Sequence, residues 1–186
     1  MKKITAICIC SFLIYACSES PNSKAVETNE HVAPDTTAGI ISYPLNEARL
    51  DAVAFNNAIF NIQQAVSTQV TRLFQSDSAN ISNHYSNTLF EIEVNVKKLE
   101  NLKGPEDSDQ LKKALMDLLE FYHTNLSNEF TMMIPLVKKS VLKTEEKRIL
   151  REYDEEFAVK EIQFFKQISE AQNQFAVGNN IQLKDI

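Results

Sequence analysis

The sequence predicts an all-α domain, an antiparallel up-down four-helix bundle with long helices. Three observations carry this. Apolar residues recur every three or four positions over four long segments. All three glycines (Gly39, Gly104 and Gly178) fall where an element would end, and a glycine inside a helix costs about 1 kcal/mol. Valine and isoleucine occur without the strict alternation of a half-buried strand.

The first helix follows Pro44. Its stripe is Ala48, Ala52, Phe55, Ile59, Ile62, Val66, Val70 and Leu73, while Asn56, Asn57, Gln63, Gln64 and Arg72 fall off it. The second carries Tyr85, Leu89, Ile92, Val96 and Leu99. Gly104-Pro105 stops it, because proline disfavours a helical residue before it. The third lines up Leu111, Leu115, Leu118, Tyr122, Leu126, Phe130, Met133 and Val137. The fourth begins at Thr144, a suitable N-cap with Glu145 and Glu146 in the first turn. It runs through Leu150, Tyr153, Phe157, Phe164, Ile168, Ala171 and Phe175 to a stop at Gly178. Short loops between long amphipathic helices favour antiparallel neighbours.

The first 44 residues read differently. Lys2 and Lys3 precede an apolar run from Ile4 to Tyr15, followed by Ala16 and Cys17. That order of positive end, apolar core and small residue is a secretory signal peptide. The run is about 12 residues, short of the ~20 that a membrane span needs. Ile14, Tyr15, Ala16 and Cys17 resemble the lipobox of bacterial lipoproteins, Tyr15 departing from the small or aliphatic residue usual there. The resemblance implies that residues 1–16 are removed and that Cys17 carries lipid, palmitate included, as the first mature residue. Several acyl chains at ~0.8 kcal/mol per buried methylene would hold the protein on a membrane. In this class an Asp after the cysteine marks retention in the inner membrane. Ser18 in its place implies the outer membrane, facing the periplasm or the outside.

Residues 17–44 then serve as lipidated cysteine and flexible tether. Ser, Thr, Asn, Pro and Glu dominate, so the segment has too little apolar surface to offset the entropy of ordering. Residues 45–186 form the bundle domain. Cys8, Cys10 and Cys17 are the only cysteines of the 186 residues, which leaves the bundle to core burial without disulfides. The net charge of −6 argues against nucleic acid, which needs basic patches.

No catalytic constellation emerges, and the sequence is read as non-enzymatic, with no cofactor and no metal. Glu120 and His123 form a Glu-x-x-His pair on one helix face, but a di-iron bundle needs a second such pair. Ser140 to Lys143 fits Ser-x-x-Lys without the partner motifs that chemistry requires. Asp77-Ser78-Ala79 and Asp35-Thr36-Thr37 resemble bacterial O-glycosylation acceptors, and simple turn chemistry explains them equally. The charged residues from Lys138 to Glu161 mix both signs, as a solvated helix face does.

Pro135 interrupts the third helix pattern, so either a kink or a fresh helix is expected there. Met132 and Met133 precede it, and methionine adapts to irregular gaps. Met132, Met133 and Pro135 are therefore candidate ligand-binding residues for a small apolar molecule. Phe157, Phe164, Phe165 and Phe175 give the fourth helix a wide apolar face, suited to a core or to a partner groove. The leading expectation is a lipid-anchored envelope protein whose bundle meets another envelope protein. The alternative is a ligand-binding bundle.

Overall fold

The computed structural model describes residues 50–183, and these are helical throughout, with turns and no strand. Ala48, Cys17, the signal segment and the tether lie outside the described residues. The elements are α1 (Ala52–Phe74), α2 (Ile81–Asn101), α3 (Asp109–Asn125), a π turn (Leu126–Phe130), α4 (Thr131–Val137) and α5 (Thr144–Gly178). Helical backbone continues from α3 through the π turn into α4, so the third rod is a single irregular one.

Local chemistry sets the ends. Asp51 caps α1, its Oδ1 accepting the Ala54 N–H at 2.8 Å. Asp77 organises the turn before α2, where its Oδ1 accepts the N–H groups of Ala79 and Asn80 at 3.1 and 2.9 Å. The N-cap of α5 is Lys143, one residue before the expected Thr144. The capping acceptor is Glu146, whose Oε2 takes the Lys143 N–H at 2.9 Å while Oε1 takes Lys139 Nζ at 2.6 Å. At the other end α5 includes Gly178, and the left-handed residue is Asn180, at φ 55°. The Ile181 N–H reaches the Ala176 carbonyl at 2.8 Å and Asn180 reaches Val177 at 3.3 Å, a Schellman closure with asparagine in the usual glycine place.

Helix pairing follows from side-chain contacts. The Leu50 N–H donates to the Lys103 carbonyl at 3.0 Å, tying the start of α1 to the end of α2. Thr88 on α2 donates to the Gln69 carbonyl of α1. Tyr85 stacks on Phe130, while Lys112 Nζ reaches back to the Glu100 and Leu102 carbonyls at 2.8 and 3.0 Å. Phe55 meets Phe175 with ring centroids 5.5 Å apart, and Phe74 meets Tyr153 and Phe157.

Phe55, Ile59, Val66, Val70, Leu73, Leu115, Leu118 and Tyr122 are buried in one core, as their spacing predicts. Three polar positions, Asn56, Thr88 and Asn95, depart from expectation. Asn56 is fully buried rather than off the stripe, because its Oδ1 accepts from Gln172 Nε2 at 2.9 Å across the core. On α2 the buried line is Ile81, Thr88, Ile92, Asn95 and Leu99, with Tyr85, Leu89 and Val96 half-buried beside it. Thr88 and Asn95 are tolerated inside because each bonds a carbonyl one turn back, at 2.7 and 2.8 Å.

The third rod does not restart at Pro135. Helical conformation passes through Pro135 to Val137, and the irregularity lies upstream in the π turn. Thr131 Oγ1 donates to the Asn128 carbonyl at 2.7 Å, satisfying an acceptor where the wide turn gives way to α4.

Candidate functional site

A groove runs between α3 and α5, with a volume of about 470 Å³ and open to solvent. It arises because the core uses Leu118, Tyr122, Phe157 and Ile168, while Phe121 and Phe164 sit one step around each helix. Those two rings are half-buried and stack with centroids 5.0 Å apart and planes 27° apart. They form the groove floor. Asp117, Glu120, Thr124 and Glu129 line it from the α3 side and the π turn, and Lys160 from α5.

The charges are unequally committed. Asp117 is held by Lys113 at 2.7 Å. Glu129 Oε2 accepts from Asn125 Nδ2 at 3.1 Å, and Asn125 Oδ1 in turn accepts the Tyr153 hydroxyl. The side chains of Glu120 and Lys160 make no ion pair or hydrogen bond with the described residues. Asn125 and Glu129, four residues apart on one helix face, are in hydrogen-bond contact at one end of the groove.

Behind the floor is a buried polar contact. The Tyr122 hydroxyl donates to Glu161 Oε1 at 2.6 Å, and both residues are buried. Burial pushes the Glu161 carboxyl above the ordinary carboxylate range, and the Tyr122 hydrogen bond opposes that shift. Burial likewise raises the Tyr153 hydroxyl well above its usual value, assisted by the charges of Glu129 and Asp154.

The residues singled out from the sequence do not converge. Met132 is 64% exposed and Pro135 is exposed. Met133 lines a cavity with Leu73, Phe74, Phe130, Leu150 and Asp154. That cavity is only about 10 Å³, room for one water at most. Pockets for small apolar ligands usually run from about 300 Å³. Glu120 and His123 diverge, Glu120 into the α3–α5 groove and His123 toward Glu93 of α2 at 3.8 Å. Ser140 and Lys143 stand exposed in the loop before α5, and Ser78 is exposed in the turn before α2.

Among the described residues no group of three or more His, Cys, Asp or Glu side chains is placed to hold a metal ion. Among them, too, no helix is long and apolar enough to cross a membrane. The groove is not among the features expected from the sequence. The signal available was Phe121 at helical spacing from Asp117 and Thr124, on a face adjoining the core stripe. No protein-family model, curated protein or solved structure matches the chain.

Proposed function

We propose that this chain is a non-enzymatic envelope lipoprotein, anchored through lipid on Cys17, whose up-down four-helix bundle presents a surface to another envelope protein. The antiparallel contacts of α1 with α2, α2 with α3, α3 with α5 and α1 with α5 support the bundle arrangement. The lipobox resemblance at Ile14 to Cys17 supports the anchor, and Ser18 supports an outer-membrane address.

The observation that carries the interaction reading is the contrast between two concavities. The cavity beside Met133 is about 10 Å³, far too small for an apolar molecule. The α3–α5 groove is about 470 Å³ and open, a shape that takes a side chain or short segment of a protein. The ligand-binding alternative would require α4 to move away from α5.

The test is site-specific photocrosslinking in the native envelope. A crosslinker at Thr124 should trap a discrete protein partner, whereas one at Phe90, exposed on α2, should not. Equal labelling from both positions, or no protein adduct from either, contradicts the reading. Cys17→Ser should release the chain from the membrane fraction, and retention of that variant contradicts the anchor.

A further inference from the structure

We infer that the loop between α4 and α5, at the tip of the domain, docks on an anionic phospholipid surface. Val141 enters the boundary between headgroups and acyl chains, and Lys138, Lys143 and Lys147 meet the phosphates. This contact is separate from the α3–α5 groove and uses no residue of it.

Two observations together carry it. From Met132 to Leu142 the chain holds seven methionine, isoleucine, leucine and valine residues, and none of them is buried. Met133, Ile134 and Val137 lean on the core, while Val141 stands 81% exposed in the middle of the loop. A single solvated valine is ordinary, but this one is bracketed by lysines. Between Glu129 and Glu145 no acidic residue occurs, and the only charged residues are Lys138, Lys139 and Lys143, in a chain whose net charge is −6. The first acids beyond the loop are already matched, Glu146 by Lys139 at 2.6 Å and Glu145 by Arg148. Lys138, Lys143 and Lys147 are exposed, and the first and last of them make no ion pair with the described residues.

Shape favours lipid over protein. Phe74, the last residue of α1, meets Tyr153, and α5 extends from there back to Thr144, about 14 Å at 1.5 Å per residue. The loop therefore stands beyond the end of α1 along the α5 axis. Neither the small cavity beside Met133 nor the α3–α5 groove is lined by residues 138–143. A projecting apolar apex gives another protein no concavity to fill, whereas a bilayer requires only apolar insertion flanked by cations.

The chain has no tryptophan, so Val141→Trp gives the full-length protein one indole, at the tip. The protein is reconstituted on vesicles of phosphatidylcholine, alone or mixed with phosphatidylglycerol, with and without brominated acyl chains. With phosphatidylglycerol the emission should move to shorter wavelength and be quenched by bromine. On phosphatidylcholine alone neither should occur. A separate Phe90→Trp protein, its indole exposed on α2, should respond to neither vesicle. Adding Lys138→Gln and Lys143→Gln to Val141→Trp should lower the ratio of inserted to free tip roughly 25-fold, each lysine near an anionic surface contributing about fivefold. Added salt should lower it as well. Equal emission on the two vesicle types overturns the inference, as does a phosphatidylglycerol response that survives loss of both lysines. A crosslinker at Val141 that traps a protein while the indole ignores phosphatidylglycerol would assign the tip to a protein partner and overturn the lipid assignment. Crosslinking from Thr124, which tests the interaction reading, reports on another face and succeeds or fails separately.

Discussion

The two ends of the helical domain are built to different standards. At the end holding the start of α1 and the finish of α5, backbone and rings are in direct contact. Phe55 is fully buried against Phe175, and Gly104 in the α2–α3 loop lies so close that a Cβ there would fall 2.4 Å from the Phe55 ring. Asn56 and Gln172 bond across the core, and Asn179 Nδ2 donates to Asp107 at 2.8 Å. At the opposite end the rod widens into a π turn, α4 has no buried residue, and Met132 and Val141 face solvent. Asp154 lines the small cavity there, its carboxyl pushed up to about 6 by burial, with the Glu155 charge adding to it. The difference teaches that the loosely packed structure is confined to α4 and the loop after it, since the π turn itself buries Leu126 and Phe130. Adaptable structure is concentrated beside the π turn, near one end of the groove. Low local stability is what regions that adjust to partners require.

Four substitutions should break or sharpen this contrast. The largest effect belongs to Gly104→Ala, which drives a methyl into a rigid buried ring. It should cost about 3 kcal/mol, the upper range for overpacking, and lower the melting temperature by roughly 10 °C. Pairing it with Phe55→Leu should recover part of the loss, and strict additivity in that cycle would deny the contact.

Next is Asn56→Leu, which leaves the Gln172 amide buried without its acceptor. It should cost about 2 kcal/mol in urea unfolding. Adding Gln172→Leu should restore most of it, because both polar groups are then gone.

At the looser end Asp154→Asn should stabilise. The folded pKa of about 6 lies above the ordinary 3.8, so the fold favours the neutral acid. Its contribution is fully present at low pH and is lost as pH rises from 3.8 to about 6. The variant should gain on the order of 1 kcal/mol at pH 8, a partly open site allowing water to screen the charge. The gain should vanish near pH 3. Thermal melts at both pH values check the sign, and a gain that is constant with pH would contradict it. The smallest effect is Met132→Ala, expected within about 0.5 kcal/mol of the parent because the side chain is solvated.

Much of the architecture was legible in the apolar spacing. Ile59, Val66, Leu73, Leu118 and Phe157 fall inside because hydrophobic period alone decides which face of a helix is buried. Asn56 was not legible, since its partner Gln172 comes from the far end of the chain and only tertiary contact makes an amide acceptable in a core. Thr88 and Asn95 bond their own helix, an option the residue types permit without announcing. The π turn at Leu126–Phe130 has no sequence mark comparable to Pro135, through which the helix continues without a fresh start. The groove was hidden for a related reason. Phe121 and Phe164 look like ordinary edges of two stripes until α3 and α5 are set side by side.

The most direct test of a lipid-anchored interaction module is a native mass spectrum of the protein purified from its own envelope. The account predicts a chain beginning at Cys17, carrying acyl groups and no other small molecule. A chain that still includes residues 1–16, or a small-molecule mass that survives removal of the lipidated N-terminus, would contradict it.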